Sequence, residues 1–119
     1  MIEPRDAALT ALYAIDLSGE PVPSDLVDKA ARLVRGVTEH LPELDERINE
    51  VAEGWRTERM PAVDRAILRM ATFELVYEPE TPAPVVLSEA VRLAKLYSTE
   101  KSGGFVNGVL AKLADTQSA

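Results

Sequence analysis

Cysteine is absent from the 119 residues and histidine occurs once, at His40. A disulfide framework, a Cys/His zinc site and a cysteine nucleophile are therefore excluded, and a hydroxyl nucleophile would have almost no candidate base. His40, immediately before Leu41-Pro42, is better placed to meet a helix C-terminus than to act on a substrate. No apolar run approaches the roughly 20 residues that span a bilayer. The start MIEPRDAALTALYAID has no basic stretch ahead of an apolar one, so neither an anchor nor a signal peptide is expected and a cytoplasmic location is. A surplus of cations is also missing: the net charge is −7, which opposes generic polyanion binding. The deficit is uneven. Residues 1–53 hold 12 acids and 5 bases, whereas residues 54–119 hold 8 of each, so any anion site is expected in the second half.

What is present is helical periodicity, in a length suited to one domain over residues 1–119. Pro4 suits a first helical position and Gly19 a left-handed cap, which bounds a first helix carrying Ala8, Leu9, Leu12 and Tyr13. After the loop EPVPS, Ser24 or Asp25 is expected to cap a second helix with Leu26, Val27, Ala30, Leu33, Val34 and Val37 on its apolar face. Pro42 opens a third, ending at Gly54, whose acids Glu43, Asp45, Glu46, Glu50 and Glu53 read as a solvated face. Trp55 and RTERM lead to Pro61 and the most apolar helix, PAVDRAILRMATFELVY. So little polar surface places that helix at the centre of a bundle. Steps of 100° bring Arg65, Arg69 and Thr72 onto one face, with Glu74 on the opposite side, where burial demands a partner.

The turn EPETPAP precedes a fifth helix, VVLSEAVRLAKLY, with Ser88, Arg92, Lys95 and Thr99 on its polar side. The last stretch, KSGGFVNGVLAKL, is ambiguous. Asn107-Gly108 is a hairpin signal, but Val106, Val109, Leu110 and Leu113 keep a helical period and no strand alternation flanks the glycine. Helix is the better reading, with Ser102 as N-cap and Gly108 marking a close helix contact. The fold class is all-α, a compact bundle of about six helices.

Catalysis finds no support in the residues: adjacent Asp45 and Glu46 point to different faces, and Gly103-Gly104 lacks the ending of a phosphate loop. No cofactor and no metal are expected. A binding surface remains, with Arg65, Arg69, Arg92, Lys95 and Lys101 as its cations and Tyr97 and Phe105 as rings able to stack an unpaired base. The competing reading makes both rings core residues and the cations a solvated face.

The blocks MPAVDRAILRMATFEL, VVLSEAVRLAKLYS and GGFVNGVLAKL, with AALTALYAIDLSG and LDERINEVAEGW upstream, resemble the NusB family of bacterial transcription antitermination factors. The resemblance implies an all-helical, non-enzymatic, NusB-like protein that pairs with the ribosomal protein NusE on boxA RNA of ribosomal leader transcripts. That complex helps the elongating RNA polymerase resist termination. It also implies that Tyr97, Lys101 and Phe105 lie at the RNA surface, that Tyr13 and Asp64, with Arg65 adjacent, lie at the RNA and NusE interface, and that Arg5 represents the N-terminal arginine-rich segment. The chain departs from the family there, beginning Met1-Ile2-Glu3-Pro4, and it is shorter around EPVPS. An alternative expectation is a protein-interaction relative, a homodimer or the ligand of another protein, that has lost specific RNA binding.

Overall fold

The computed structural model describes residues 3–118, and the side chains through 117. Six helices follow one another: α1 (Pro4–Ser18), α2 (Asp28–Glu39), α3 (Leu41–Val51), α4 (Ala62–Tyr77), α5 (Ala83–Tyr97) and α6 (Ser102–Ser118), with a 3-10 turn at Thr57–Arg59. Among the described residues there is no strand, and no helix is long and apolar enough to cross a membrane. Helix α4 packs against each of the other five. Its Ala66, Ile67, Leu68, Met70 and Ala71 are at most 2% exposed, so it has the central place that its poverty in polar residues predicts. One continuous apolar core is built around it, from Leu9 and Leu12 on α1 to Leu110 and Leu113 on α6.

Local chemistry sets most boundaries. Pro4, Pro42 and Pro84 occupy the first turns of α1, α3 and α5, where a missing N–H costs nothing. Gly19, at φ 70°, closes α1 by donating its N–H to the Ile15 carbonyl at 2.9 Å. The start of α2 differs from expectation. Ser24 and Asp25 form a turn, not a cap; the helix begins at Asp28, with Val27 extended and 69% exposed. Pro21 and Pro23 bias the residues before them toward extended backbone, which delays helix entry.

The sequence ending GGFVNGVLAKL is helical throughout. Gly108, however, marks no close contact: a Cβ there would have nothing within 4 Å. The tight approach is at Gly36 on α2, where a Cβ would stand 2.2 Å from the ring of Phe73 on α4. That ring belongs to a stack with Tyr77 (centroids 5.4 Å apart), which in turn stacks on His40 at 4.3 Å. His40 caps the C-terminus of α2 and leads directly into α3.

Glu74 is 1% exposed and partnered, as its position requires. Arg5 donates to it twice, through Nε at 2.9 Å and Nη2 at 2.7 Å, and Lys29 Nζ stands 3.1 Å away. One turn on, buried Glu78 is held by Arg32. Glu74 on α4 and Glu78, its C-cap, thereby tie the start of α1 and the start of α2 to the end of the central helix.

A candidate nucleic-acid interface

Arg5, expected at an RNA surface, has its guanidinium turned inward onto Glu74. Arg65 and Arg69 do share a face of α4, but not an open one. Arg65 donates to Asp16 on α1 at 2.9 and 2.6 Å and to the carbonyls of Thr57 and Met60 at 3.1 Å. Arg69 makes a bidentate pair with Asp45 on α3, both bonds 2.8 Å. Their side chains are only 13% and 12% exposed, and Thr72 beside them is fully buried. The expected single patch of free cations is therefore divided: these three arginines serve inter-helix pairs, and Asp45 is a partner rather than part of a solvated face. Bidentate Arg–carboxylate geometry is among the strongest of side-chain contacts, which is why the fold claims these cations first.

Asp64 also turns inward. At 4% exposure it accepts from Ser102 Oγ at 2.9 Å and from Ser98 Oγ, and Ser102 Oγ lies 2.9 Å from Thr99 Oγ1. The carboxylate sits under the turn between α5 and α6 and fixes the entry into α6. It also lines a surface groove shared with Trp55, Lys101 and Phe105.

Around the turn the remaining candidates gather. Tyr97 ends α5 and is 48% exposed; its hydroxyl donates to Asp6 on α1 at 2.7 Å. Asp6 also receives Arg92 Nη2 at 2.7 Å, and Arg92 is held in addition by Glu89 at 3.2 Å. The Arg92 hydrogen bond, with that of Tyr97, keeps the Asp6 carboxyl below the usual carboxylate range, and the bond to Asp6 raises the Tyr97 phenol. Tyr13, 40% exposed, follows Asp6 by two helical turns and so shares its side of α1. Arg92, proposed by its pattern as a free cation, is spent on this network.

Lys101 stands exposed in the turn and Phe105 half-buried in the first turns of α6. Both line a groove of about 280 Å3, walled on its other side by Trp55 and Pro61. Phe105 thus combines both readings open to it: its ring packs on the core and still borders a surface groove. Trp55 meets it edge to face, centroids 6.0 Å apart at 66°, and is 54% exposed. Among the described residues, Arg35, Arg59, Lys95 and Lys101 are the cations without an ion pair, and three of these four lie in the second half of the chain. Trp55 and Arg59 were not singled out by periodicity, because a short loop has none; an aromatic beside arginines in WRTER was the available signal.

The model of the NusB family matches residues 2–115. The chain is 44% identical to the transcription antitermination protein NusB of Anaeromyxobacter dehalogenans, over 92% of this chain and 87% of that one. It is 47% identical to the same-named protein of Geobacillus kaustophilus, over 93% and 92%. Among solved structures, T. maritima NusB superposes with a TM-score of 0.86 at 35% identity, covering 94% of this chain and 88% of that one. A chain from the crystal structure of antitermination factors NusB and NusE in complex with dsRNA gives 0.82 at 30% identity, covering 95% and 94%. Match, relatives and fold agree over nearly the full length, and the chain belongs to the NusB family.

Proposed function

We propose that this protein is an RNA-binding transcription antitermination factor that acts in the cytoplasm with the ribosomal protein NusE on boxA leader RNA. The observation that carries the reading is the family match over residues 2–115, joined to a fold shared with a NusB found together with NusE and RNA. Within the fold, RNA is assigned to the edge around the α5–α6 turn. There Tyr97, Lys101 and Phe105 offer two aromatic rings and an unpaired cation, and Asp64 holds the turn in shape from below. Tyr13, on the adjoining face of α1, is assigned to the protein partner and the rim of the RNA site. Arg5, Arg65 and Arg69 are assigned no direct contact, since their donors are committed to Glu74, Asp16 and Asp45.

A gel shift with purified NusE tests this. Binding of boxA RNA well above that of a scrambled RNA of equal length is expected. Equal affinity for the two would leave the alternative, a protein-interaction member of the family without specific RNA binding.

A further inference from the structure

We propose that Trp55 is a base-stacking residue: an unpaired RNA base lies on its indole face, and Phe105, which meets the indole edge to face, borders the same ledge. The proposal rests on the RNA-binding reading and adds a contact from the α3–α4 connection, which that reading does not use.

Three observations carry it. First, Trp55 is held as a platform although it is exposed. Gly54, at φ 83°, takes the left-handed turn after α3; Trp55 N–H then donates to the Ala52 carbonyl at 3.0 Å, and Thr57 N–H donates to Asn49 Oδ1 at 2.8 Å. The backbone on both sides of the indole is therefore anchored, so only the side chain itself is left to order on binding. Second, the two rings are shared walls of two grooves. One, of about 280 Å3, also has Pro61, Asp64, Thr99 and Lys101; the other, of about 250 Å3, has Val51, Glu53, Gly104, Gly108 and Lys112. Neither of those glycines would have a neighbour within 4 Å of an added Cβ, so the α6 surface beside Phe105 is open to a flat ligand.

Third, the two grooves are bordered by cations as well as by the carboxylates Asp64 and Glu53, and Asp64 is already engaged by Ser98 and Ser102. The hydroxyls of Tyr77 and Tyr97 donate to carboxylates, Glu43 and Asp6. No such carboxylate bond is made by the Trp55 indole among the described residues, and the unpaired cations Arg59 and Lys101 belong to the two segments that carry Trp55 and Phe105. Nearby Arg56 and Lys112 are held only by the exposed acids Glu58 and Glu53, a kind of pair that exchanges readily for a phosphate. Base stacking is tolerant of sequence because every base has a π face, so this ledge supplies affinity while hydrogen-bonding groups elsewhere select the sequence.

Trp55 is the single tryptophan of the chain, so its emission reports on its own contact. A short single-stranded boxA RNA is titrated into the full chain, alone and with NusE, while anisotropy of the labelled RNA follows binding independently. Emission from NusE is subtracted with the Trp55→Phe variant. The proposal expects quenching that saturates together with the anisotropy. It also expects affinity about 5- to 150-fold weaker for Trp55→Ala, converted from the loss typical of one stacked base, and largely kept for Trp55→Phe. Should Trp55→Ala fold poorly, the emission of the native chain decides. RNA binding with unchanged emission and unchanged Trp55→Ala affinity would overturn the ledge and leave the RNA-binding function standing. Quenching by NusE alone, with no further change on adding RNA, would also overturn it and give the groove to the protein partner. Absence of RNA binding in every condition would overturn both.

Discussion

Arg5 shows how one residue's role is set by what its neighbours need. Glu74 is almost without solvent, and an ionised carboxylate there must be paired or the fold loses several kcal/mol. Arg5 supplies two hydrogen bonds, with Lys29 as a second cation. Arg5→Ala is expected to lower stability by about 3 kcal/mol, the low end for breaking a buried pair because Lys29 remains. RNA affinity of the folded fraction should not change. Denaturant unfolding together with a binding titration checks this, and lost affinity at unchanged stability would restore Arg5 to the RNA surface. Phe105→Ala should behave oppositely in emphasis: RNA affinity falls by about 1–3 kcal/mol if the ring stacks a base. Because that ring also packs on the core, circular dichroism of the variant must accompany the binding curve. A destabilised fold with unaltered affinity would make Phe105 a core residue only.

At the level of elements, two glycines on different helices predict opposite outcomes. Gly36→Ala adds a methyl group into the ring of Phe73, and overpacking of that kind costs about 1–3 kcal/mol, more than the roughly 1 kcal/mol gained in helix propensity. Gly108→Ala meets no neighbour and should stabilise by about 0.5–1 kcal/mol. Thermal melts of the two variants decide it; a destabilised Gly108→Ala would mean a contact at that surface. The contrast also marks the reach of sequence reasoning. Prolines, Gly19 and apolar spacing made the six helices and the central place of α4 readable, because those signals are local. Which glycine faces a ring depends on how α2 crosses α4, and no local pattern carries that. The same holds for Arg65 and Arg69: their shared face followed from 100° steps, but their partners Asp16 and Asp45 come from α1 and α3. Glu74 was readable as a buried acid, and Arg5 as a cation, but not that each was the other's answer.

For the whole molecule the governing fact is asymmetry of charge. The first 53 residues carry the entire net charge of −7, and the second half is neutral overall. No net positive field draws RNA to the protein, so binding rests on the local cations of the α5–α6 turn and the α3–α4 connection. With Arg59, Lys95 and Lys101 meeting phosphates, and Arg56 and Lys112 exchanging their exposed acids for them, three to five contacts give a slope of about −2 to −3.5 for log affinity against log salt with a single strand. That slope is expected for the chain alone; a value steeper than about −4 would require the arginines of the inter-helix pairs to leave their carboxylates.

The place of RNA on that aromatic edge is open to ultraviolet crosslinking of boxA RNA to the complex with NusE, read residue by residue by mass spectrometry. Crosslinks on this chain should concentrate at Trp55, Tyr97 and Phe105. Crosslinks confined to α2 and α3, with those three rings unmodified, would contradict it.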